Sequence, residues 1–137
     1  MAQVYLDSCI VIYVVEAPPE IRETVRSALR PGEGQAPQVY ISALTRLECR
    51  VRPLRENATE LLATYDRFFG SRDLRRCRLT GAVYDLATEL RAMHGIKTPD
   101  ALHLAAALES GCSEFWTNDL RLPSAIEEKI RIRVLPG

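Results

Sequence analysis

The chain has 137 residues, 47% of them hydrophobic, and its 18 Lys and Arg residues balance 18 Asp and Glu residues. This length and apolar fraction predict one domain over residues 1–137 with its own buried core. A net charge of zero gives no global support for nucleic-acid binding, so any such surface would have to be local.

Hydropathy and cysteine usage both favour a cytoplasmic protein. No apolar run approaches the roughly 20 residues that a membrane helix needs, so we expect no membrane contact. Charged and polar residues interrupt the amino-terminal segment, and we expect no signal peptide. The four cysteines lie far apart, without a CxxC or a Cys/His pair at zinc-ligand spacing. We expect free thiols, buried at Cys9, Cys49 and Cys112.

The first half of the chain alternates short apolar runs with helical patterns. We predict, in order, strand 4–6, helix 9–15, helix 20–29, loop 31–37, strand 39–41 and a helix from Ser42 to Pro53. Ser8 and Ser42 stand directly before helices and are typical N-cap residues. The loop is indicated by two prolines and two glycines within seven positions.

The second half predicts three helices and three strands. They are an amphipathic helix over 58–69 ending at Gly70, strand 74–79, a helix from Thr80 to Gly95, a helix from Thr98 to about Gly111, and strands 114–117 and 130–135. The helix after Thr80 has its apolar face at Val83, Leu86, Ala87, Leu90 and Met93. Basic and apolar residues alternate over 74–79, as in a strand with one solvated face. The last strand is expected at a sheet edge.

The helix that begins at Thr98 is the most informative segment. Thr98 is a cap residue, Pro99 suits the first helical position, and Asp100 is favourable in the first turn. The following Ala-Leu-His-Leu-Ala-Ala-Ala-Leu is apolar nearly all round. We therefore expect this helix to be buried in the middle of the fold.

Strands separated by helices predict an α/β fold. Its central, mainly parallel sheet of four to five strands would carry helices on both faces, giving a three-layer α/β/α sandwich. In such sheets, ligands bind beyond the carboxyl ends of the strands.

Four acidic residues stand where that rule places a site. Asp7 and Asp119 follow strands, Asp100 opens the buried helix, and Glu48 lies about one and a half turns into the helix after the second strand. Clustered carboxylates raise one another's pKa, which is costly, and a divalent cation removes that cost. Carboxylate oxygens suit Mg²⁺, with Mn²⁺ also possible.

Each acid taken alone has an ordinary explanation. Asp7 could mark a strand exit, Asp100 could serve the helix dipole, and Asp119 could be a turn residue. Glu48 could face solvent beside Arg52. Their joint placement favours a site. Other acids lack such placement and are predicted to be at the surface, namely Asp66, Asp73, Asp85 and Glu89.

Four segments, in order along nearly the whole chain, resemble those of the PIN-domain family. They are Val-Tyr-Leu-Asp-Ser-Cys-Ile-Val-Ile-Tyr (4–13), Ser-Ala-Leu-Thr-Arg-Leu-Glu-Cys-Arg (42–50), Lys-Thr-Pro-Asp-Ala-Leu-His-Leu-Ala-Ala-Ala-Leu (97–108) and Phe-Trp-Thr-Asn-Asp (115–119). Each motif alone is weak, and the third is the most distinctive. The small size resembles the VapC toxins of VapBC toxin–antitoxin pairs.

The resemblance implies a PIN-like sandwich and a catalytic metal site. Its metal-site residues would be Asp7, Glu48, Asp100 and Asp119, and its polar helpers Ser8, Thr117 and Asn118. It further implies a Mg²⁺- or Mn²⁺-dependent endoribonuclease that leaves 3′-hydroxyl and 5′-phosphate ends. Such a toxin would form a homodimer and be silenced by a cognate VapB-type antitoxin.

Further residues allow two interpretations. His103 lies three residues after Asp100 on the same helix face; a core role is favoured over a role beside the site. Two arginine groups could bind RNA phosphates or pair with local acids, and the second interpretation is slightly favoured. They are Arg46, Arg50, Arg52 and Arg55, and Arg72, Arg75, Arg76 and Arg78. The apolar segment 13–15 could belong to the core or to a dimer or antitoxin contact.

Two other function classes compete with a nuclease. A receiver-like signalling module would also bind Mg²⁺ in an acidic pocket. Such a module requires a Lys at the end of a late strand, where this chain has Thr117-Asn118-Asp119. A non-catalytic protein that binds RNA or a partner is disfavoured by four intact acids.

Overall fold

The computed structural model describes residues 1–30, 32 and 34–137. These residues contain five strands and six α-helices. In chain order they are β1 (Gln3–Leu6), α1 (Ser8–Glu16), α2 (Pro19–Leu29), β2 (Gln38–Ser42), α3 (Ala43–Arg55), α4 (Thr59–Phe69), β3 (Leu74–Cys77), α5 (Gly81–His94), α6 (Thr98–Glu109), β4 (Glu114–Thr117) and β5 (Arg131–Val134). A short 3-10 helix, Ser124–Glu128, was not predicted. Of the predicted loop 31–37, Pro31 and Glu33 lie outside the described residues, and the others belong to neither helix nor strand.

The strands form one parallel sheet in the order β3-β2-β1-β4-β5. β1 lies at its centre, with Val4 opposite Val39 of β2 and Tyr5 opposite Phe115 of β4. Parallel strands all end at one edge of a sheet. The residues that follow β1, β2, β3 and β4 therefore share the carboxyl edge.

Helices cover both faces of this sheet and bury two separate cores. Because side chains alternate along a strand, Tyr5 faces α5 and α6, while Val4 and Leu6 face the layer of α1 to α4. The central strand β1 is buried on both faces and is accordingly apolar over residues 4–6, whereas the edge strands β3 and β5 each carry two arginines. The predicted three-layer α/β/α sandwich is confirmed, and β5 is an edge strand as expected.

α6 is the most buried helix of the described residues. Seven consecutive residues, 101–107, are buried, which confirms the prediction made from its apolar composition. It contacts α5 along much of its length. No helix in the described part of the chain has the length and hydropathy that crossing a membrane requires.

Three predicted helix boundaries were wrong. Asp7, not Ser8, is the N-cap of α1, because its carboxylate accepts the Ser8 N–H. α3 continues through Pro53 to Arg55, and the turn that contains the proline still closes, because the Glu56 N–H donates to the Arg52 carbonyl. α6 begins one residue early, with Lys97 as N-cap and Thr98 in the first turn.

Two predicted faces were also wrong. β3 buries Leu74 on one face and Cys77 on the other, since residues three apart in a strand point in opposite directions. It therefore has no single solvated face. Met93 was placed on the apolar face of α5, yet it lies in the last turn with 77% of its surface exposed.

The burial of α6 predicts a large packing loss on truncation. Leu104 is fully buried, so Leu104→Ala should lower the free energy of unfolding by about 2–5 kcal/mol through lost contacts and a cavity. Met93→Ala on neighbouring α5 is the control and should change it by less than about 0.5 kcal/mol. Urea unfolding followed by circular dichroism measures both. Equal effects would show that α6 is not the centre of the core.

Candidate metal centre

Four acidic side chains line one cleft of about 620 Å³ at the carboxyl edge of the sheet. They are Asp7, Glu48, Asp100 and Asp119, and we call this space the acidic cleft. The structure thus brings together all four predicted site residues. The other predicted group, Asp66, Asp73, Asp85 and Glu89, is exposed as expected.

Asp7 is held on both of its carboxylate oxygens. Oδ1 accepts the backbone N–H of Ser8 at 2.8 Å, and Oδ2 accepts the hydroxyl of Thr117 at 2.8 Å. The Asp7 N–H donates to the carbonyl of Trp116, which continues the pairing of β1 with β4. Because Thr117 is fully buried, its hydroxyl has little freedom to leave Asp7. The carboxylate is therefore fixed before any ligand binds.

Glu48 reaches the same cleft from α3. Its Oε1 accepts the Ser8 hydroxyl at 2.7 Å and lies 2.6 Å from Nε2 of His103. These bonds, that of His103 above all, hold the pKa of Glu48 below its usual range despite partial burial. The alternative in which Glu48 faces solvent beside Arg52 is wrong, because Arg52 pairs with Glu16.

His103 belongs to the site as well as to the core. It is 1% exposed, and its Nδ1 lies 2.7 Å from the hydroxyl of Tyr5, which in turn lies 2.8 Å from the Ser42 hydroxyl. Sequence reasoning favoured a core role alone and so missed its contact with Glu48. Its position three residues after Asp100 was the available signal. An ionised carboxylate only accepts hydrogen bonds, so Nε2 bears the hydrogen shared with Glu48.

The carboxyl group of Asp100 has a raised pKa. Burial raises its pKa, and the negative charges of Asp7 and Asp119 raise it further. Asp119 differs, because the backbone N–H of Arg121 donates to its Oδ1 at 2.8 Å and lowers its pKa. The Arg121 side chain adds a second bond at 3.1 Å.

The three predicted polar helpers have different partners. Ser8 and Thr117 contact Glu48 and Asp7, as expected for groups that orient carboxylates. Asn118 lines the acidic cleft, but its amide donates to the hydroxyl of Tyr13 at 2.9 Å. Tyr13 itself is only partly buried and packs against the core, with the rest of segment 13–15.

The donor set fits a divalent cation. Ligand atoms of Asp7, Glu48 and His103 lie within 4.8 Å of one another, and Asp100 and Asp119 line the same cleft. After burial, the charges of Asp7 and Asp119 contribute to the raised pKa of Asp100, and a cation would relieve that repulsion. Oxygen donors suit Mg²⁺ and Mn²⁺. His103 fits as a donor to Glu48 better than as a ligand, since its Nε2 bears hydrogen.

Three of the four cysteines do not line the acidic cleft. All four cysteines are free thiols, and Cys49 and Cys112 are buried as predicted. Cys77 is buried too, whereas the prediction for Cys9 is wrong, because this residue is partly exposed and lines the acidic cleft. Burial raises the pKa of the Cys9 thiol to about 12, so this thiol stays protonated.

Three residues of the arginine group on α3 pair with local acids. Arg46 and Arg50 lie 3.7 and 3.0 Å from Asp66, and Arg52 pairs with Glu16.

The hydrogen bonds of His103 predict which tautomer the metal-free protein holds. Nε2 should bear hydrogen, because Glu48 accepts there, and long-range ¹H–¹⁵N NMR distinguishes this from the tautomer protonated only at Nδ1. The chain has two histidines, so a His94→Gln variant assigns the signals. A bare Nε2 on His103 would contradict the geometry and restore His103 as a candidate ligand.

Comparison with known proteins agrees with this architecture. A chain of a toxin–antitoxin complex from Klebsiella pneumoniae has a TM-score of 0.72 and 21% identity, over 96% of this chain and 97% of that one. A chain of VapBC2 from Rickettsia felis, bound to a DNA fragment from its promoter, has a TM-score of 0.69 and 16% identity, over 96% and 97%. VapC20 from Mycobacterium tuberculosis, a toxin that cleaves the sarcin–ricin loop, has a TM-score of 0.69 and 14% identity, over 96% and 99%.

These likenesses show a shared fold at low identity, and no curated protein matches the sequence. The family model of the PIN domain, by contrast, matches residues 4–127. That span contains all four acids of the cleft and confirms the family that the sequence motifs predicted. The chain therefore belongs to the PIN-domain family.

Proposed function

We propose that this protein is a metal-dependent endoribonuclease and the toxin of a toxin–antitoxin pair. The observation that carries the proposal is the convergence of four carboxylates in one open cleft at the carboxyl edge of a PIN-domain sheet. Such a site suits phosphodiester hydrolysis, because a cation held by the carboxylates would balance the negative charge that gathers in the transition state.

Asp7, Glu48, Asp100 and Asp119 would hold the cation, Mg²⁺ or Mn²⁺. A bound divalent ion supplies positive charge for the phosphate and lowers the pKa of water, so that hydroxide is available near neutral pH. The protein contributes preorganisation. Thr117 and the Ser8 N–H fix Asp7, while the Ser8 hydroxyl and His103 both bond Oε1 of Glu48.

Hydrolysis would break the bond between phosphorus and the 3′-oxygen, leaving 3′-hydroxyl and 5′-phosphate ends. The cleft is open to solvent, so it would admit the backbone of a single RNA strand. We take residues 1–137 as one domain, and this site would be its catalytic centre. An RNA substrate would place the protein in the cytoplasm.

The toxin role draws on the solved structures of similar fold. The chains from Klebsiella pneumoniae and Rickettsia felis come from toxin–antitoxin assemblies, and VapC20 is a toxin that cleaves the sarcin–ricin loop. We propose by analogy that the partner is a VapB-type antitoxin and that the protein forms a homodimer.

Neutralising one carboxylate should abolish cleavage without unfolding the protein. Asp100→Asn removes a negative charge from a crowded cleft, and we expect at least about 100-fold slower cleavage, because even groups that only orient metal ligands contribute 10–100-fold. Purified protein and total cellular RNA, with Mg²⁺, with Mn²⁺ and with EDTA, provide the assay. Asp85→Asn, at an exposed acid of α5, is the matched control. Undiminished cleavage by Asp100→Asn would refute the assignment.

Removing the hydroxyl that orients Asp7 should weaken metal binding. Thr117→Val keeps the side-chain volume but leaves Oδ2 of Asp7 without its donor, so Mn²⁺ affinity should fall about tenfold. Titration calorimetry measures this without RNA. Thr88→Val is the control, since Thr88 donates only to the carbonyl of Tyr84 in α5. Equal affinities for both variants would mean that Asp7 needs no such support.

A further inference from the structure

A second cleft, of about 450 Å³, lies at the same edge of the sheet, where the ends of β2 and β3 meet the start of α3 and the end of α4. Its floor is apolar and buried: Ile41 and Cys77 come from the ends of β2 and β3, and Phe69 ends α4. Three exposed arginines stand on its rim, and we call it the arginine cleft. They are Arg46, Arg76 and Arg78.

This cleft unites the two arginine groups of the sequence. Arg46 belongs to the first group, whereas Arg76 and Arg78 belong to the second, and β2 pairs with β3 to bring them together. No acidic residue lines the cleft within the part of the chain that the structure describes. The result is a local excess of positive charge on a protein whose net charge is zero.

The three guanidinium groups differ in how far they are engaged. Arg76 donates to the backbone carbonyls of Phe69, Ser71 and Leu74 and so secures the end of α4. Arg46 has one long ion pair, 3.7 Å from Asp66, with both side chains half exposed. Arg78 follows β3, is exposed, and enters no ion pair among the described residues. Arg46 and Arg78 can therefore bind a ligand without breaking the fold.

The arginine cleft is a short distance from the acidic cleft. Neighbouring strands lie about 4.8 Å apart, so the ends of β1 and β3 are separated by roughly 10 Å. Ser42 lines the arginine cleft, and its hydroxyl contacts Tyr5, whose partner His103 bonds Glu48. One extended nucleic-acid strand can reach both clefts.

We propose that the arginine cleft binds the RNA strand beside the cleaved bond. This inference rests on the proposed ribonuclease function. Arg46 and Arg78 would hold a phosphate through charge-assisted hydrogen bonds, and the apolar floor would take a base or ribose. An acidic peptide would satisfy the arginines too, but the shared edge with the carboxylates favours the substrate.

RNA binding without cleavage tests the proposal. In the Asp100→Asn background, anisotropy of a short fluorescein-labelled single-stranded RNA of mixed sequence is measured across a KCl titration. Arg78→Gln and Arg46→Gln should each weaken binding about fivefold and reduce the salt slope by about 0.7, the value for one lost phosphate contact. Arg78→Lys should keep most of the slope. Arg131→Gln, at the amino end of the other edge strand, is the control and should match the parent.

The outcomes separate this inference from the function on which it rests. If the parent binds and the nuclease cuts RNA, but both Gln variants behave like Arg131→Gln, the arginine cleft does not bind substrate and only this inference fails. If the parent binds no RNA at any salt concentration, the RNA substrate fails with it. If the Gln variants lose affinity for polyglutamate but not for RNA, the cleft is a protein-binding surface and the inference is wrong.

Discussion

The carboxylate of Asp7 joins elements that the rest of the structure depends on. One oxygen caps α1 through Ser8, and the other accepts the hydroxyl of Thr117 at the end of β4. The same side chain lines the acidic cleft. Because β1 is the central strand, this single group ties the middle of the sheet, the start of a helix and the candidate metal site into one arrangement.

Behind that carboxylate lies a chain of polar groups inside the core. Ser42, Tyr5 and His103 connect in turn to Glu48, and each is almost fully buried. Buried polar groups are costly when unpaired, yet no buried side-chain nitrogen or oxygen of the described residues lacks a partner. This buried network therefore positions the Glu48 side chain from the core, while the acidic cleft that Glu48 lines remains open to a ligand.

Local signals predicted most of the fold and the four acids. Short apolar runs located the strands, and the composition of α6 predicted its burial, because both depend on neighbouring residues in the sequence. The rule that sites form beyond parallel strands then placed Asp7 and Asp119 correctly at one edge.

What the sequence could not provide was pairing between distant side chains. The contact of His103 with Glu48 and the meeting of Arg46 with Arg78 depend on which strands become neighbours. The N-cap at Asp7 was missed for a smaller reason, since Asp and Ser are equally good caps and stand side by side.

The order of the strands makes β3 and β5 the two edge strands of the sheet. The unpaired backbone groups of an edge strand can pair with a strand from another chain, and charged side chains on the edge strand oppose this pairing. β3 carries Arg75 and Arg76, and β5 carries Arg131 and Arg133. The guanidinium of Arg133 lies over the ring of Trp116, 4.6 Å from its centroid, and this cation–π contact keeps the positive charge of Arg133 at the β5 edge. The arginines of both edge strands thus oppose strand addition and aggregation, independently of any ligand that other arginines bind.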